Sequence, residues 1–147
     1  MNIDLMCLMK LENMSEFNFK SSVCTSREQS ERLLALGLKK ETADMCHRTN
    51  GMGIYFITAI DPICNPNDIP AWSLDRLREL IPENIVTGVR NQWHRVMYNS
   101  VLSYEEGDDS LVSFRGGNIY DRCISCIYWL IKEGYFNKEY LEEQNNG

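Results

Sequence analysis

The proline-bounded segment 69–82 constrains the fold more strongly than any other part of the sequence. Ser73 can cap the N-terminus of a helix, and Asp75 then lies in the first turn, where the helix dipole favours a carboxylate. One face of that helix would carry Leu74, Leu77, Leu80 and Ile81. Pro82 ends the helix, because proline lacks the backbone donor that a helix needs. The segment therefore predicts a short amphipathic helix over 73–81 that packs against a core.

The stretch before that helix is rich in proline and is predicted to be an irregular loop. Its prolines are Pro62, Pro66 and Pro70. Each of them lacks a backbone N–H and pushes the preceding residue out of the helical region of backbone conformation. We therefore expect no regular secondary structure from residue 61 to residue 70.

Runs rich in β-branched and aromatic residues predict a small antiparallel sheet. Its three strands are expected at 53–58, 93–104 and 110–115. The acidic turn 105–109 joins the last two strands into a hairpin. A shorter run at 85–86 is an ambiguous further strand.

Two further helices are predicted from the residues that begin and end them. The first spans 26–37, and residues 41–45 are expected to add one or two helical turns after it. Two capping boxes are candidates for its start: Thr25 with Glu28, and Ser26 with Gln29. The second helix spans 118–133, and Gly134 suits the left-handed position after its end. The predicted fold class is α+β, with a small antiparallel sheet of about three strands packed against three to four helices.

The length of 147 residues fits a single domain. Residues 1–22 lack periodicity and are predicted to be a loosely ordered leader, with a short amphipathic arm that docks on a partner as the alternative. Residues 23–141 form the predicted single α+β domain, and residues 142–147 are predicted to fray. No stretch approaches the roughly 18–20 apolar residues of a membrane span, so no membrane association is expected.

The charge and the cysteine content bear on partners and compartment. The formal net charge is −6, which disfavours nucleic acid as a partner because nucleic-acid binders need a basic surface. Six cysteines in a chain of this length do not form the pattern of a small disulfide-stapled scaffold, and the N-terminus lacks a secretory signal. We expect a reducing, cytoplasmic setting and a protein partner, and a homo-oligomer stays open.

The cysteines offer three alternatives to simple core packing. Cys123 and Cys126 lie three residues apart in an apolar helical run, which favours buried thiols over a redox pair or, with Cys46 and His47, a zinc site. A nucleophilic Cys64 would need a histidine base within hydrogen-bond reach, and no local signature surrounds it. The sequence therefore predicts no metal, no cofactor and no catalytic site.

Trp72 and Trp93 are the candidates for an exposed aromatic binding surface. The tyrosines that would complete this surface are Tyr55, Tyr98 and Tyr104. Aromatic side chains at the starts of helices and strands are also common in cores, and core packing is the competing interpretation. If Trp72 belongs to the surface, its replacement would abolish partner binding without unfolding the protein.

A second candidate site is the turn between the last predicted strand and the longest helix. It consists of Arg115, Gly116, Gly117 and Asn118. Free backbone amides at a helix N-terminus bind phosphate in many proteins. This turn lacks the longer glycine pattern and the lysine of a nucleotide-binding loop, so a plain flexible turn with a helix cap is the competing interpretation.

Five short motifs carry a family resemblance in combination: Glu28-Gln29-Ser30, Leu36-Gly37-Leu38, Thr42-Ala43-Asp44-Met45, Pro70-Ala71-Trp72-Ser73-Leu74 and Asn118-Ile119-Tyr120-Asp121. Together they resemble a group of small uncharacterised proteins that are frequent in gut Bacteroidales genomes and in their phages and mobile elements. The resemblance covers most of residues 25–134 and implies a shared fold and an accessory role. We therefore expect a non-enzymatic accessory protein that acts by protein binding. The alternative is a phosphate- or nucleotide-binding protein, or an enzyme, that uses the turn 115–118.

Overall fold

The computed structural model of the protein describes residues 22–59, 66–88, 91–98 and 101–143. Its helices are α1 (Arg27–Ala35), α2 (Leu74–Leu80) and α3 (Ile119–Glu133), with short 3₁₀ helices at Lys40–Thr42 and Lys138–Tyr140. Its strands are β1 (Met45–Thr49), β2 (Tyr55–Ala59), β3 (Ile69–Ala71), β4 (Asn84–Thr87), β5 (Asn91–Tyr98), β6 (Val101–Glu106) and β7 (Asp109–Arg115). The predicted α+β class is confirmed.

The strands form two antiparallel sheets, which corrects the prediction of one sheet of about three strands. Among the described residues the first sheet has the order β2-β1-β3, and the second has the order β4-β5-β6-β7. The predicted strand 93–104 is in fact two paired strands, with Met97 opposite Leu102. Asn99 and Ser100, which favour turns, separate the two β-rich runs in the sequence.

Two of the strands lie where the sequence predicts none. β1 begins at Met45, and only Lys40–Thr42 is helical in the region expected to add helical turns. β3 includes Pro70, which pairs with Cys46 of β1 at the outside of the sheet. Proline is tolerated on an edge strand because its missing N–H can face away from the neighbouring strand. The loop predicted for 61–70 therefore ends earlier than expected.

The helices begin after the capping residues that the sequence indicates, and α1 ends at Ala35, before its predicted end at residue 37. Of the two candidate capping boxes for α1, the structure uses Ser26 and Gln29, whose side chains each bond the other residue's backbone N–H. Ser73 caps α2 and Asn118 caps α3. Gly134 ends α3 with a φ of 82°, a conformation that glycine adopts at little cost.

The core lies between α3 and the second sheet and extends to α1 and α2. Its side chains with no exposed surface are Leu33, Trp72, Leu77, Leu102, Tyr104, Cys123, Cys126, Ile127 and Leu130. Burial of Cys123 and Cys126 agrees with their predicted packing in the helix face. The long helix therefore supplies the largest share of the core.

A hydrogen bond is found near each of the predicted limits of the domain. Of the predicted leader only Ser22 is described, and its carbonyl accepts a hydrogen bond from the Tyr120 hydroxyl at 2.7 Å. At the other end, the backbone N–H of Glu142 donates to the carbonyl of Gly37 at 2.7 Å, and residues 144–147 lie outside the described part. None of the helices in the described ranges is long and apolar enough to cross a membrane.

Candidate functional site

Trp72 lies in the core and is not part of an exposed aromatic surface. None of its side chain is exposed, and its Nε1 donates to Thr42 Oγ1 at 2.9 Å. The backbone N–H of Trp72 donates to Thr25 Oγ1 at 3.0 Å, while its carbonyl accepts from the Thr25 N–H at 2.9 Å. Trp72 therefore joins the start of α1 to the end of β3. This agrees with the interpretation that Trp72 packs in the core.

The other predicted aromatic residues do not come together on one surface either. Trp93 is partly buried and its Nε1 donates to Thr87 Oγ1 at 2.7 Å, so its polar atom is already bound within the fold. Tyr104 is buried and stacks on Trp129 with 6.3 Å between ring centroids. Tyr98 is exposed on β5, but it belongs to the second sheet.

The glycine turn at 115–118 is exposed, and two backbone N–H groups at the start of α3, those of Asn118 and Asp121, are already bound. Gly116 and Gly117 both have positive φ, at 87° and 63°. Asp121 Oδ2 accepts the backbone N–H of Asn118 at 3.0 Å, and Asn118 Oδ1 accepts the N–H of Asp121 at the same distance. Arg122 Nη1 donates to the Gly117 carbonyl at 2.8 Å. The capping side chains Asn118 and Asp121 therefore already use two of the N–H groups that could bind a phosphate.

The charge at this turn also opposes an incoming anion. A hydrogen bond from Gln29, together with that of Asn118 and the positive charge of Arg32 and Arg122, holds the pKa of Asp121 below its ordinary value. Asp121 is thus ionised at neutral pH, and its negative charge lies beside Gly117 of the turn. A phosphate bound here would be repelled by that carboxylate or would have to displace it.

Cys123 and Cys126, which suggested a redox pair or a metal site, are core groups. Burial raises the pKa of Cys123 to about 11 and raises that of Cys126 further. A reactive thiol needs the opposite shift, toward the thiolate. No group of three or more candidate metal ligands is found among the described residues, and Cys64 lies outside them.

Five of the large apolar side chains that are exposed among the described residues lie together on the hairpin of β1 and β2. We call this surface the β2 edge, and its members are Met52, Ile54, Tyr55, Phe56 and Ile57. Met52 is 84% exposed, Phe56 is 49% exposed and Ile57 is 46% exposed. Arg27 lies over the Tyr55 ring with its guanidinium carbon 4.1 Å from the centroid, and this is where the hairpin meets α1. Tyr55 and Ile57 point to one face of the strand and Phe56 points to the other, and all three side chains are exposed.

β2 also presents backbone groups that no other described strand pairs with. Among the described residues β2 is the outer strand of its sheet. The N–H of Asn50 donates to the Ile54 carbonyl at 3.1 Å, and hydrogen-bonded pairs alternate along an antiparallel ladder. It follows that the N–H and C=O groups of Tyr55, Ile57 and Ala59 point away from β1. The same alternation directs the missing N–H of Pro70 away from β1, which explains why that strand accepts a proline.

The β2 edge differs from the other sheet edges of the described structure. β3 has three residues and carries Pro70, and β4 has four residues. β7 carries the charged residues Asp109 and Arg115 at its two ends. Short length, proline and charge are the usual means by which proteins keep edge strands from pairing with another chain. β2 has five residues and carries none of these protections.

Sequence analysis predicts the strand and, apart from Tyr55 as a candidate surface residue, makes no prediction of its exposure. Three consecutive large side chains, Tyr55-Phe56-Ile57, are typical of a strand buried on both faces, so the pattern alone indicates a central strand. The signal available in the sequence is the absence of any charged residue from 49 to 59. An uncharged stretch is expected of a strand that binds a partner, and it is equally expected of a strand that is buried in the core.

Comparisons with protein-family models, with curated proteins and with solved structures find no match for this chain. The resemblance to small Bacteroidales and phage proteins therefore stays a prediction. Function has to be inferred from the geometry of the residues themselves.

Proposed function

We propose that this is a non-catalytic accessory protein that works in the cytoplasm by binding another protein through the β2 edge. The observation that carries the proposal is a five-residue edge strand whose large apolar side chains are exposed and whose outward backbone groups face no other described strand. Association with a phage or mobile element is part of the proposal and rests on the sequence resemblance alone.

Physical chemistry supports a binding role for such an edge. An added strand would satisfy the outward N–H and C=O groups of β2, which is the mode of recognition called β-augmentation. It would also remove apolar surface from water, at a gain of roughly 25 cal/mol for each Å² buried. Aromatic residues such as Phe56 commonly supply much of the energy at interface centres. Backbone pairing and apolar burial therefore act at the same place.

The competing function, phosphate or nucleotide binding at the turn 115–118, has weaker support. The backbone N–H groups of Asn118 and Asp121 are already bound by each other's side chains, and the carboxylate of Asp121 repels anions. The groups whose pKa is most strongly raised, Tyr104, Cys123 and Cys126, owe their shifts to burial in the core. This pattern is typical of core packing, whereas catalytic groups with shifted pKa usually lie in a cleft.

The proposal is tested by capture experiments with matched variants. The tagged wild-type chain, an Ile57→Lys variant and a Tyr128→Lys variant would each be used to capture partners from native host extract. Tyr128 is 54% exposed on α3, away from the first sheet, and so controls for a surface charge. We expect Ile57→Lys to lose proteins that the wild type and Tyr128→Lys retain, because lysine on an edge strand opposes strand addition. Equal capture by all three would refute the proposed binding surface.

A further inference from the structure

We infer that the β2 edge binds the β2 edge of a second copy of this chain, so that two three-stranded sheets join into one six-stranded antiparallel sheet. The inference rests on the proposed function, since it takes the β2 edge to be a binding surface and names its occupant. Its central residue is Phe56, which lies midway between the outward-facing Tyr55 and Ile57.

The backbone of β2 is self-complementary. Tyr55, Ile57 and Ala59 present their N–H and C=O groups outward, as the ladder alternation set by the Asn50–Ile54 hydrogen bond requires. Two identical strands related by a two-fold axis run antiparallel, and each outward donor then meets an outward acceptor of the other copy. A two-fold interface needs only one such patch on each chain, because the patch pairs with itself.

The side chains select one register among those that the backbone allows. With the axis at Phe56, Tyr55 of one copy lies opposite Ile57 of the other, and the two Phe56 side chains face each other. Pairs of aromatic with β-branched or aromatic residues are the stabilising cross-strand combinations. An axis at Ile57 would instead place Phe56 opposite Thr58 and Tyr55 opposite Ala59. The first register buries more apolar surface and is the one we propose.

The charge distribution favours a second copy over a charged peptide. The chain has a net charge of −6, so two copies repel each other in general. Residues 49–59 carry no charged side chain, so the two paired strands themselves bring no like charges together, and Arg27, which lies over the Tyr55 ring, is the charged group beside them. The same neutrality leaves no charged group on the strand to recognise an acidic or basic peptide.

The size of the contact sets the expected strength. Stable interfaces bury about 800 Å² on each partner, and a pair of five-residue strands with a hairpin tip covers less than that. We therefore expect a reversible dimer that dissociates in the range of about 1–100 µM, rather than an obligate one.

Sedimentation of the full chain over that concentration range is the first test. The wild type is expected to shift from the monomer mass toward twice that mass as concentration rises. Ile57→Lys should weaken the association by at least about tenfold, equivalent to 1.4 kcal/mol, and Tyr128→Lys should associate like the wild type. A wild-type chain that stays monomeric at the highest concentration, or an Ile57→Lys chain that dimerises normally, would overturn the inference.

Disulfide trapping is the second test, and it reports the register. In a chain with Cys7→Ser and Cys64→Ser, Phe56→Cys would place two thiols across a non-hydrogen-bonded pair, where Cα atoms lie about 4.5 Å apart and a disulfide fits. Mild oxidation should give a covalent dimer, whereas Tyr128→Cys in the same background should not. No more crosslinking at residue 56 than at residue 128 would overturn the proposed pairing.

The two proposals fail in different ways. If the wild type is monomeric while Ile57→Lys still loses a captured host protein, the second copy is excluded and the binding function stands. If the wild type dimerises through β2 and no host protein depends on residue 57, the edge serves self-association alone. Circular dichroism of each variant verifies that the comparison is made between folded proteins.

Discussion

Gln29 Nε2 donates to Asp121 Oδ1 at 2.9 Å and thereby joins the N-terminal turns of α1 and α3, which are 92 residues apart in the chain. Gln29 is also the residue that closes the capping box of α1, because its Oε1 accepts the Ser26 N–H at 2.9 Å. Asp121 closes the capping box of α3 in the same way. The side-chain amide of Gln29 therefore connects the caps of two helices. This contact lies beside the turn 115–118, which sequence analysis predicts as a candidate phosphate site.

A double-mutant cycle should detect this coupling. We expect Gln29→Ala and Asp121→Ala to show an interaction of about 1 kcal/mol in the free energy of unfolding, the scale of a partly exposed charged hydrogen bond. Urea denaturation measures it. Gln29→Ala combined with Glu133→Ala is the control, since Glu133 lies twelve residues along α3, about 18 Å away. A Gln29–Asp121 coupling no larger than the control would mean that the amide contributes no specific stability.

The Asp121 carboxylate should make stability depend on acid pH. Because its folded pKa lies below the ordinary value of 3.8, ionised Asp121 stabilises the fold above that value, and the contribution is lost as pH falls through the folded pKa. About a third of the side chain is exposed, so we expect an effect below about 1 kcal/mol. Denaturation from about pH 5 to about pH 2 should show a smaller loss for Asp121→Asn than for the wild type. Identical pH profiles would contradict the lowered pKa.

Trp72→Ala should strongly destabilise the protein. The side chain is fully buried and its Nε1 is bonded to Thr42, so removal should cost about 3–5 kcal/mol through lost burial and the cavity left behind. Thr42→Val tests the hydrogen bond separately, and we expect it to cost about 1–3 kcal/mol by leaving the indole N–H unpaired. Thermal and urea unfolding measure both. An unchanged melting temperature for Trp72→Ala would restore this residue to the binding surface.

Gly117→Ala should cost more stability than Gly116→Ala. Both glycines have positive φ, so both substitutions introduce backbone strain of about 1 kcal/mol or more. A Cβ at Gly117 would lie 2.5 Å from Asp121 Oδ2, whereas one at Gly116 meets no atom within 4 Å. The difference between the two variants therefore isolates the approach of the turn to the α3 cap. Equal destabilisation would show that the carboxylate moves away freely.

The starts of the helices, and the end of α3, follow from local signals in the sequence. Ser73 before α2, Asn118 before α3 and Gly134 after α3 are all found in the predicted roles. Cap and stop signals act between residues a few positions apart, so the necessary information is local. The apolar residues that α3 buries, among them Cys123 and Cys126, are also predicted from their spacing within one short stretch of sequence.

The pairing of β1 with β3, and the burial of individual side chains, depend on tertiary contacts that the local sequence does not report. β1 pairs with the adjacent β2 in a hairpin and on its other side with β3, which is distant in sequence, and local β preference says little about either β1 or β3. Trp72 and Phe56 are both large and aromatic, yet one is fully buried and the other is about half exposed. Their burial depends on which elements pack against them: Trp72 lies between Thr25 and Thr42, whereas Phe56 lies on the outermost strand of its sheet.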